Sequence, residues 1–534
     1  MTTVRTVRSR PTVDLQLRGP EIGASRSKDV SLGVAPTPGS ATGACEGVSC
    51  YSSSSLMSKP RSPDEDRQVR STAPWKPIGA YALMIAAAVG VFLVVRGYGA
   101  CLVAPAPVHV HAGVAAPVPA DTLMHVLLSL IVIILAARAL GKVFEFVQQP
   151  PVVGEVIAGI ALGPSLLGRV APRASEFLLP SAVAPFLSVI AQVGVILFMF
   201  LVGLELDSSR LRNRTQATVA ISHASIIAPF LVGSALSIWL YPTLSSSDVP
   251  FTTFSLFVGV SLSVTAFPVL ARILTDRGIH RTRLGTIALT CAAVDDLTAW
   301  CLLAVIVGVV NARASGALGT IGLSGLYLVV MFVVVRPIAA RFVKKQELVK
   351  AVPRSAVAAV FVALLVSAFV TEAIGIHAIF GAFLLGAIIP HGSRLARHLL
   401  GSLEDFVVVL LLPAFFAFTG MRTQIGLVSG VAQWGICIAI IVAASAGKFG
   451  GTFVAGKLTG LPARDAASLG ILMNTRGLME LVVLNLGLDL HLISPTLFAM
   501  LVLMAVVTTL ATTPVLQLLT RSSAPVTAGK TART

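Results

Sequence analysis

Two adjacent carboxylates, Asp295 and Asp296, lie in the middle of a segment, residues 284–310, that is otherwise apolar enough to cross a bilayer. Each aspartate at the centre of a membrane helix costs roughly 2.5–3.5 kcal/mol on insertion scales. Neighbouring residues on an α-helix point about 100° apart, so the two side chains cannot share one direction. We therefore expect one carboxylate to face a polar pathway and the other to face a neighbouring helix.

A buried lysine is the expected partner for one of these carboxylates. Lys448 lies among small residues, in the segment 444–451, which lets a neighbouring helix approach closely. About 13 Å of helix separates it from Lys457 at the predicted membrane boundary, which is too far for the ammonium group to reach water comfortably. The pattern favours a salt bridge with the aspartate pair over snorkelling of the lysine toward the surface.

Two of the predicted helices are interrupted, and the interruptions occupy corresponding positions in the two halves of the chain. Pro268 interrupts the first, shortly after Thr265, because proline removes a backbone donor and clashes with the preceding turn. Gly477 and its polar neighbours interrupt the second. Either break alone is typical of a simple kink. The two together are typical of inverted-repeat transporters, in which broken helices meet at the membrane midplane.

Two charged residues belong to the second break. Half-helix ends carry partial charges of about ±0.5, and Arg476 is placed to face exposed carbonyl ends. Glu480 follows one turn later, at the i,i+4 spacing of a helical ion pair. The sequence leaves open whether this pair is structural or contacts a cation. Glu155, near a helix start, and His223, alone in an apolar helix, are weaker candidates.

The composition is that of a polytopic, all-α membrane protein. Of 534 residues, 55% are hydrophobic and only 12% are charged, and the mean hydropathy is +0.88. This profile excludes an ordinary soluble domain. The six cysteines have neither the spacing of a metal site nor that of a disulfide framework, and no enzyme constellation occurs in the loops. We therefore expect neither catalysis nor a cofactor.

Hydropathy divides the chain into five parts. Residues 1–77 are rich in Ser, Arg, Pro and Gly and are predicted to be a disordered cytosolic tail. Their acidic residues count against an organelle transit peptide. Residues 78–96 form an extra transmembrane helix and 97–122 a linker. Thirteen candidate helices follow within 123–520, and 521–534 form a short cytosolic tail.

The distribution of basic residues sets the predicted orientation. With residues 1–77 inside and the helices alternating, the inside segments hold 33 of the 40 Lys and Arg residues. The outside loops hold five, namely Arg96, Arg169, Arg173, Arg313 and Arg422. This bias places both termini in the cytosol and directs the net charge of +16 toward anionic lipid rather than nucleic acid.

Several motifs in this order resemble those of monovalent cation/proton antiporters of the NhaA, NapA, Kef and plant CHX kind. They lie at residues 154–168, 201–205, 265–272, 295–296, 447–448 and 474–477. The resemblance covers about residues 123–520. It implies a thirteen-helix core with an inverted repeat, two crossed discontinuous helices, and a homodimer with separate dimerisation and transport domains. The nucleotide-binding domain of the Kef type has no counterpart motif here, so regulation by nucleotide is not expected.

The resemblance also implies roles for single residues. Asp296 matches the carboxylate that binds the cation and the proton, and Asp295 matches the partner of Lys448. The hydroxyl group of Thr265 and nearby exposed carbonyls are expected to complete the coordination of Na⁺ or K⁺. Lys448 would release a proton as the site loads, and an aspartate at position 295 favours electrogenic exchange.

The expected function is alternating-access exchange of Na⁺ or K⁺ for protons, in a plasma membrane, most simply a bacterial inner membrane. Three alternatives remain at this point. A sodium symporter for organic anions, of the bile-acid type, also has crossed broken helices but does not need the Asp-Asp-Lys set. A cation channel is disfavoured by counter-charges that would immobilise an ion. A membrane sensor would need a soluble output domain.

Overall fold

A computed structural model describes residues 75–105, 122–205, 216–279, 282–311, 317–348 and 351–521. The predictions for the tail before residue 75, for the linker between 106 and 121, and for the tail after 521 fall outside these residues. Every regular element in the described ranges is helical, which confirms the predicted all-α class.

The helices are numbered here in chain order. The first ten are α1 (Trp75–Gly99), α2 (Thr122–Phe146), α3 (Pro151–Leu162), α4 (Leu167–Val170), α5 (Pro172–Leu178), α6 (Ala184–Glu205), α7 (Gln216–Leu244), α8 (Phe251–Ser263), α9 (Phe267–Asp276) and α10 (Arg283–Asn311). The others are α11 (Ala317–Val330), α12 (Arg336–Glu347), α13 (Arg354–Ile374), α14 (Ala378–Ile388), α15 (Arg394–Phe406), α16 (Leu412–Arg422), α17 (Gly430–Leu458), α18 (Ala463–Met473), α19 (Leu478–Asp489) and α20 (Pro495–Arg521).

Twelve spans in the described ranges are long and apolar enough to cross a membrane, or 13 when α18 and α19, bent by 45° at their break, count as one. The sequence predicts fourteen. The additional prediction, residues 376–390, corresponds to α14, an apolar helix of 11 residues. At 1.5 Å per residue α14 is only about 16 Å long, which is shorter than the bilayer core.

The helices pack into two bundles. The first, called here the crossing bundle, contains α1, α7 to α10 and α17 to α20. The second, called the flanking bundle, contains α2 to α6 and α11 to α16. Few contacts join the two, chiefly those of α10 with α11 and of α20 with α3 and the loop after α16. Side chains continue across this seam, where Trp300 of α10 packs edge-to-face against Phe380 of α14.

The crossing bundle is built from two similar units of opposite direction. Each unit is a long helix, a broken helix and a second long helix: α7, α8/α9 and α10 in the first, α17, α18/α19 and α20 in the second. The first helices of the two units, α7 and α17, make the most extensive contact in the molecule. This arrangement confirms the predicted inverted repeat with two discontinuous helices.

Glycines bring α7 and α17 together and thereby position Lys448. A Cβ atom at Gly447 would lie 2.8 Å from the Cα atom of Pro229, and one at Gly451 would lie 2.7 Å from the carbonyl oxygen of Ala224. Since any larger side chain would push the helices apart, the small residues noted in the sequence serve close packing. Lys448, between these glycines, is fully buried.

Candidate functional site

The first broken helix separates into α8 and α9 at three extended residues. Val264 and Ala266 have extended backbone torsions, and Pro268 lies in the first turn of α9. Because proline has no N–H group, it cannot bond the carbonyl group of Val264, four residues earlier, and this loss together with the extended torsions of Val264 and Ala266 separates the two half-helices. The end of α8 therefore exposes carbonyl groups and the start of α9 exposes N–H groups in the middle of the bundle.

The second broken helix passes directly against the first. The backbone N–H of Ala266 donates to the carbonyl oxygen of Thr475 over 3.1 Å, which joins the two extended segments. Gly477 must be small because a Cβ atom there would lie 2.6 Å from Cγ2 of Val269. The two breaks thus form a crossing with four half-helix ends.

Asp295 is fully buried on α10 and is surrounded by donors. Oδ1 accepts a hydrogen bond of 2.7 Å from Ser222. Oδ2 accepts hydrogen bonds from Ser225 at 2.6 Å, from Thr265 at 3.0 Å and from Lys448 at 3.1 Å. This carboxylate is therefore saturated by three hydroxyl groups and one ammonium group.

Asp296, the next residue, has very different surroundings. It is 4% exposed, and neither carboxylate oxygen has a hydrogen-bond partner among the residues that the structure describes. The backbone N–H of Phe267, at the N-terminus of α9, is directed toward this carboxylate and interacts with it electrostatically. The partial positive charge of that helix end favours the ionised form of the carboxylate here. Both carboxylate oxygens of Asp296 are therefore available as acceptors or ligands.

Two cations neutralise the C-terminal end of α8. Lys448 Nζ donates to the carbonyl oxygen of Ser263 in addition to Asp295. Arg476 donates to the carbonyl oxygens of Ser261 at 2.9 Å and Leu262 at 2.6 Å. Its Nη1 atom also lies 3.3 Å from Oε2 of Glu480, and both residues of this pair are fully buried.

A cavity of about 570 Å³, called here the large cavity, lies between the two bundles. It lies at the end of the bundles where α2 ends and α3 begins. It reaches Pro268 and Val269, next to the backbone N–H of Phe267 that faces Asp296. Glu155 and Glu205, from two of the sequence motifs, also line it. The large cavity thus connects one face of the molecule to the start of α9.

A second cavity of about 260 Å³, the small cavity, lies farther along α19 between the same bundles. The large cavity touches Leu478 at the beginning of α19, whereas the small cavity touches Val482 and the residues after it. Glu372, His377 and Asp489 line the small cavity. The crossing therefore has a cavity on each side.

A sequence profile of the transmembrane sodium/hydrogen exchanger family matches residues 126–521. This match spans nearly three quarters of the chain and contains every residue of the crossing. The chain belongs to the sodium/hydrogen exchanger family.

Relatives in this family come from bacteria, plants and yeast. The chain is 43% identical over 396 residues to the Na⁺/H⁺ antiporter NhaS4 of Synechocystis, covering 74% of this chain and 97% of the relative. It is 39% identical over 397 residues to cation/H⁺ antiporter 20 of Arabidopsis thaliana, covering 72% of this chain and 47% of the relative. It is 33% identical over 396 residues to K⁺/H⁺ antiporter 1 of Saccharomyces cerevisiae, covering 72% of this chain and 45% of the relative. The chain thus spans about half the length of the plant and yeast proteins.

A solved structure of an antiporter shares the fold. The sodium proton antiporter MjNhaP1 of Methanocaldococcus jannaschii superimposes with a TM-score of 0.56 at 14% sequence identity, covering 74% of this chain and 96% of that one. At this identity the likeness concerns the fold alone, and it agrees with the antiporter fold predicted from the sequence.

The structure of this exchanger-family chain brings all of the predicted site residues to the crossing. Lys448 contacts Asp295, and Arg476 contacts Glu480. Thr265 lies at the crossing as well, but its hydroxyl group donates to Asp295. The structure therefore distinguishes the two aspartates: Asp295 belongs to a hydrogen-bonded group, whereas Asp296 has no hydrogen-bond partner among the described residues.

Sequence reasoning missed three hydroxyl groups at the crossing. Ser222 and Ser225 of α7 bind Asp295, and Thr509 of α20 bonds both the backbone N–H and the carbonyl oxygen of Arg476. The i,i+3 spacing of the serines places both on one helix face, but Ser234 and Ser237 of the same helix have the same spacing, so it gives no specific signal. His223 lies between them, with Nδ1 2.9 Å from the carbonyl oxygen of Val219 on its own helix.

Proposed function

We propose that this chain exchanges a monovalent cation, Na⁺ or K⁺, for protons across a membrane by alternating access, with Asp296 as the binding carboxylate. The observation that carries this assignment is the contrast between two adjacent aspartates. Asp295 accepts four hydrogen bonds, whereas Asp296 has no hydrogen-bond partner among the described residues. The relatives named Na⁺/H⁺ and K⁺/H⁺ antiporters support the same reaction.

The balance of buried charge explains why protons and cations compete. The described residues of the crossing include three buried carboxylates, Asp295, Asp296 and Glu480, against two buried cations, Lys448 and Arg476. An unpaired charge in a low-dielectric interior is strongly unfavourable. With Lys448 and Arg476 each paired, the single excess charge belongs to Asp296. One proton or one monovalent cation cancels it, and binding of one excludes the other.

In the proposed cycle, the large cavity leads a cation from one side to Asp296 at the N-terminus of α9. Movement of the crossing bundle against the flanking bundle then transfers the neutralised site toward the small cavity. Thr265 and the carbonyl groups at the breaks are within the same crossing and can supply further oxygen ligands. Protonation of Asp296 on the other side displaces the cation and completes the exchange.

Lys448 is proposed to carry the second proton of an electrogenic cycle. When the cation arrives, the contact of Lys448 with Asp295 breaks and the ammonium group releases a proton, so that two protons exchange for one cation. The distribution of basic residues supports an orientation with the large cavity on the cytosolic side, and we propose a plasma membrane as the location. We also propose a homodimer formed through the flanking bundle, for which a mass of two chains in detergent is the test.

Replacement of Asp296 tests the central assignment. Purified Asp296→Asn protein, reconstituted in proteoliposomes, should show no proton flux dependent on Na⁺ or K⁺, because an amide cannot alternate between a proton and a cation. Asp465→Asn, in the first turn of α18 and away from the crossing, is the control and should keep the rate of the unmodified chain. Full exchange by the Asp296→Asn protein would refute the assignment.

An imposed membrane potential tests the stoichiometry. If two protons exchange for one cation, each cycle moves one net charge, and proton flux with either cation should change with the sign of the potential. The energy available is about 2.3 kcal/mol per charge for each 100 mV. A rate that does not respond to the potential would contradict the electrogenic proposal while leaving the exchange itself in place. Measuring each cation separately also gives the selectivity.

A further inference from the structure

The face of α7 that meets α10 carries polar groups at matching intervals. Ser222 and Ser225 are fully buried and lie one turn apart, opposite Asp295. One turn earlier, the Sγ atom of Cys291 lies 3.6 Å from the carbonyl oxygen of Thr218. Cys291 and Asp295 are four residues apart on α10. They face Thr218, Ser222 and Ser225 of α7, which are separated by four and three residues. The two helices are joined along this line by side-chain hydrogen bonds.

The serine contacts are shorter than those of the other partners of Asp295. Ser222 and Ser225 lie at 2.7 Å and 2.6 Å from the carboxylate, against 3.1 Å for Lys448. Hydrogen bonds between a charged donor and a charged acceptor are usually about 2.7–2.9 Å long. The lysine contact is therefore relatively loose, and Lys448 also donates to the carbonyl oxygen of Ser263. The serines are the firm attachment of Asp295.

The serines also come from a different kind of element. Lys448 has a long, flexible side chain, and Thr265 lies in the extended segment between two half-helices. Ser222 and Ser225, in contrast, are short side chains on one continuous helix. Two short donors on a rigid helix fix both the position and the plane of a carboxylate.

We infer that Ser222 and Ser225 are positioning residues that clamp Asp295 to α7 and thereby set the rotation of α10 that presents Asp296 to the crossing. Since the two aspartates point about 100° apart on the same helix, holding one of them fixes the direction of the other. The clamp also retains Asp295 when Lys448 leaves it. This inference rests on the proposed function, because it assigns the exchange step to Asp296.

The clamp makes a specific prediction for transport kinetics. In a Ser222→Ala, Ser225→Ala double variant, Asp295 is held only by Thr265 and Lys448 and can turn toward the cation. Misplacement of a reacting group by about 1 Å can cost up to about a hundredfold in rate. We expect the maximal exchange rate to fall roughly tenfold to a hundredfold, while the cation concentration at half-maximal rate stays the same or decreases.

Matched variants separate positioning from packing. Ser237→Ala is the control, because Ser237 is a fully buried serine of the same helix that donates to its own helix carbonyl, that of Gly233, over 2.8 Å. It should leave exchange unchanged. Ser225→Thr, which keeps the hydroxyl group, should recover most of the rate lost in Ser225→Ala. Ser222 also contacts the carbonyl oxygen of Cys291, and Ser225 that of Ser222. Both carbonyl groups lie within helices and keep their backbone hydrogen bonds in the alanine variants, so these variants should fold.

A double-mutant cycle with Asp295→Asn, measured as the midpoint of thermal unfolding in detergent, does not depend on transport. If the serines act through the charge of Asp295, removing them should lower the midpoint much less in the Asp295→Asn chain than in the unmodified chain. Equal losses in both chains, an unchanged exchange rate in the double alanine variant, or an equal loss in Ser237→Ala would each overturn the inference. Exchange that persists in Asp296→Asn would refute the proposed function instead, and the unfolding cycle would still test the clamp.

Discussion

The two breaks of the crossing satisfy their free backbone groups differently. At the first, the last carbonyl groups of α8 accept hydrogen bonds from two cationic side chains, Lys448 and Arg476. At the second, the carbonyl group of Thr475 accepts a neutral hydrogen bond from the backbone N–H of Ala266. Arg476 belongs to the second break by sequence but serves the first. Positive charge is thus concentrated at the end of α8.

This difference separates two ways of stabilising irregular backbone inside a membrane. The first break depends on buried charges, each of which must keep its partner. The second depends on close contact and neutral hydrogen bonds, which contribute less individually. Substitutions at the crossing should therefore differ in cost according to the break that they affect.

The largest effect is expected for Arg476→Met. It leaves Glu480 buried without its partner and removes the donors to two carbonyl groups of α8. Breaking a buried ion pair by removing one member costs roughly 3–5 kcal/mol, which should appear as a large fall in the midpoint of thermal unfolding. Arg476→Met combined with Glu480→Leu should be less destabilising than Arg476→Met alone, because no unpaired charge remains. A double variant worse than the single one would show that the pair itself stabilises the crossing.

Gly477→Ala should have the next largest effect. The new methyl group would lie 2.6 Å from Cγ2 of Val269, and overpacking of this kind costs about 1–3 kcal/mol. Adding Val269→Ala should restore most of the unfolding midpoint by removing the clash. Gly450→Ala is the control, since nothing lies within 4 Å of a Cβ atom at that position. If Val269→Ala does not compensate, steric contact between the breaks is not the reason for glycine.

Thr265→Val removes one neutral donor while preserving the shape of the side chain. The hydroxyl group donates to Asp295 and lies 3.2 Å from the carbonyl oxygen of Met473. Because the acceptor is a charged carboxylate that keeps three other donors, we expect a loss of roughly 1.5 kcal/mol, the low end for hydrogen bonds to charged groups. Thr452→Val, which removes a hydroxyl group bonded within α17, is a matched control for the unfolding measurement. A loss as large as that of Arg476→Met would contradict the distinction between the breaks.

The smallest effect is expected for Arg422→Met, at the seam between the bundles. Arg422 Nη2 lies 2.7 Å from Oδ1 of Asp489, with both side chains partly exposed. Ion pairs of this kind contribute at most about 1 kcal/mol and weaken with salt. Unfolding at low and high salt should show a small difference from the unmodified chain that decreases at high salt and leaves only the part due to the hydrogen bond from Arg422 to Oδ1 of Asn485. A salt-independent loss would mean that this arginine is needed for packing.

Part of the site was predictable because membrane insertion makes charges conspicuous. A lysine as deep as Lys448 needs a carboxylate, and an arginine at a helix break needs carbonyl groups. Both expectations follow from single residues, and the structure contains both contacts. Which aspartate Lys448 would contact could not be derived from helix geometry, since that geometry only excludes a common direction. The choice of Asp295 came from the family resemblance.

Hydroxyl groups were not predictable in the same way. Serine in an apolar helix most often bonds a carbonyl group of its own helix, as Ser237 does. Nothing in the sequence distinguishes Ser222 and Ser225 from Ser237 before α7 and α10 are placed side by side. The helix α14 shows another limit: its apolar run predicts a membrane helix, but it has only 11 residues, because it begins after His377 with its positive φ and ends at the extended Ile389 before Pro390.

The positions of the two cavities determine where a membrane voltage would act. Leu478 borders the large cavity and Val482 borders the small one, and four residues of helix span only about 6 Å. If water fills both cavities, most of the potential difference falls across this single turn of α19 rather than across the whole bilayer. A charge that moves by one helical turn at the crossing would then cross nearly the full transmembrane potential difference.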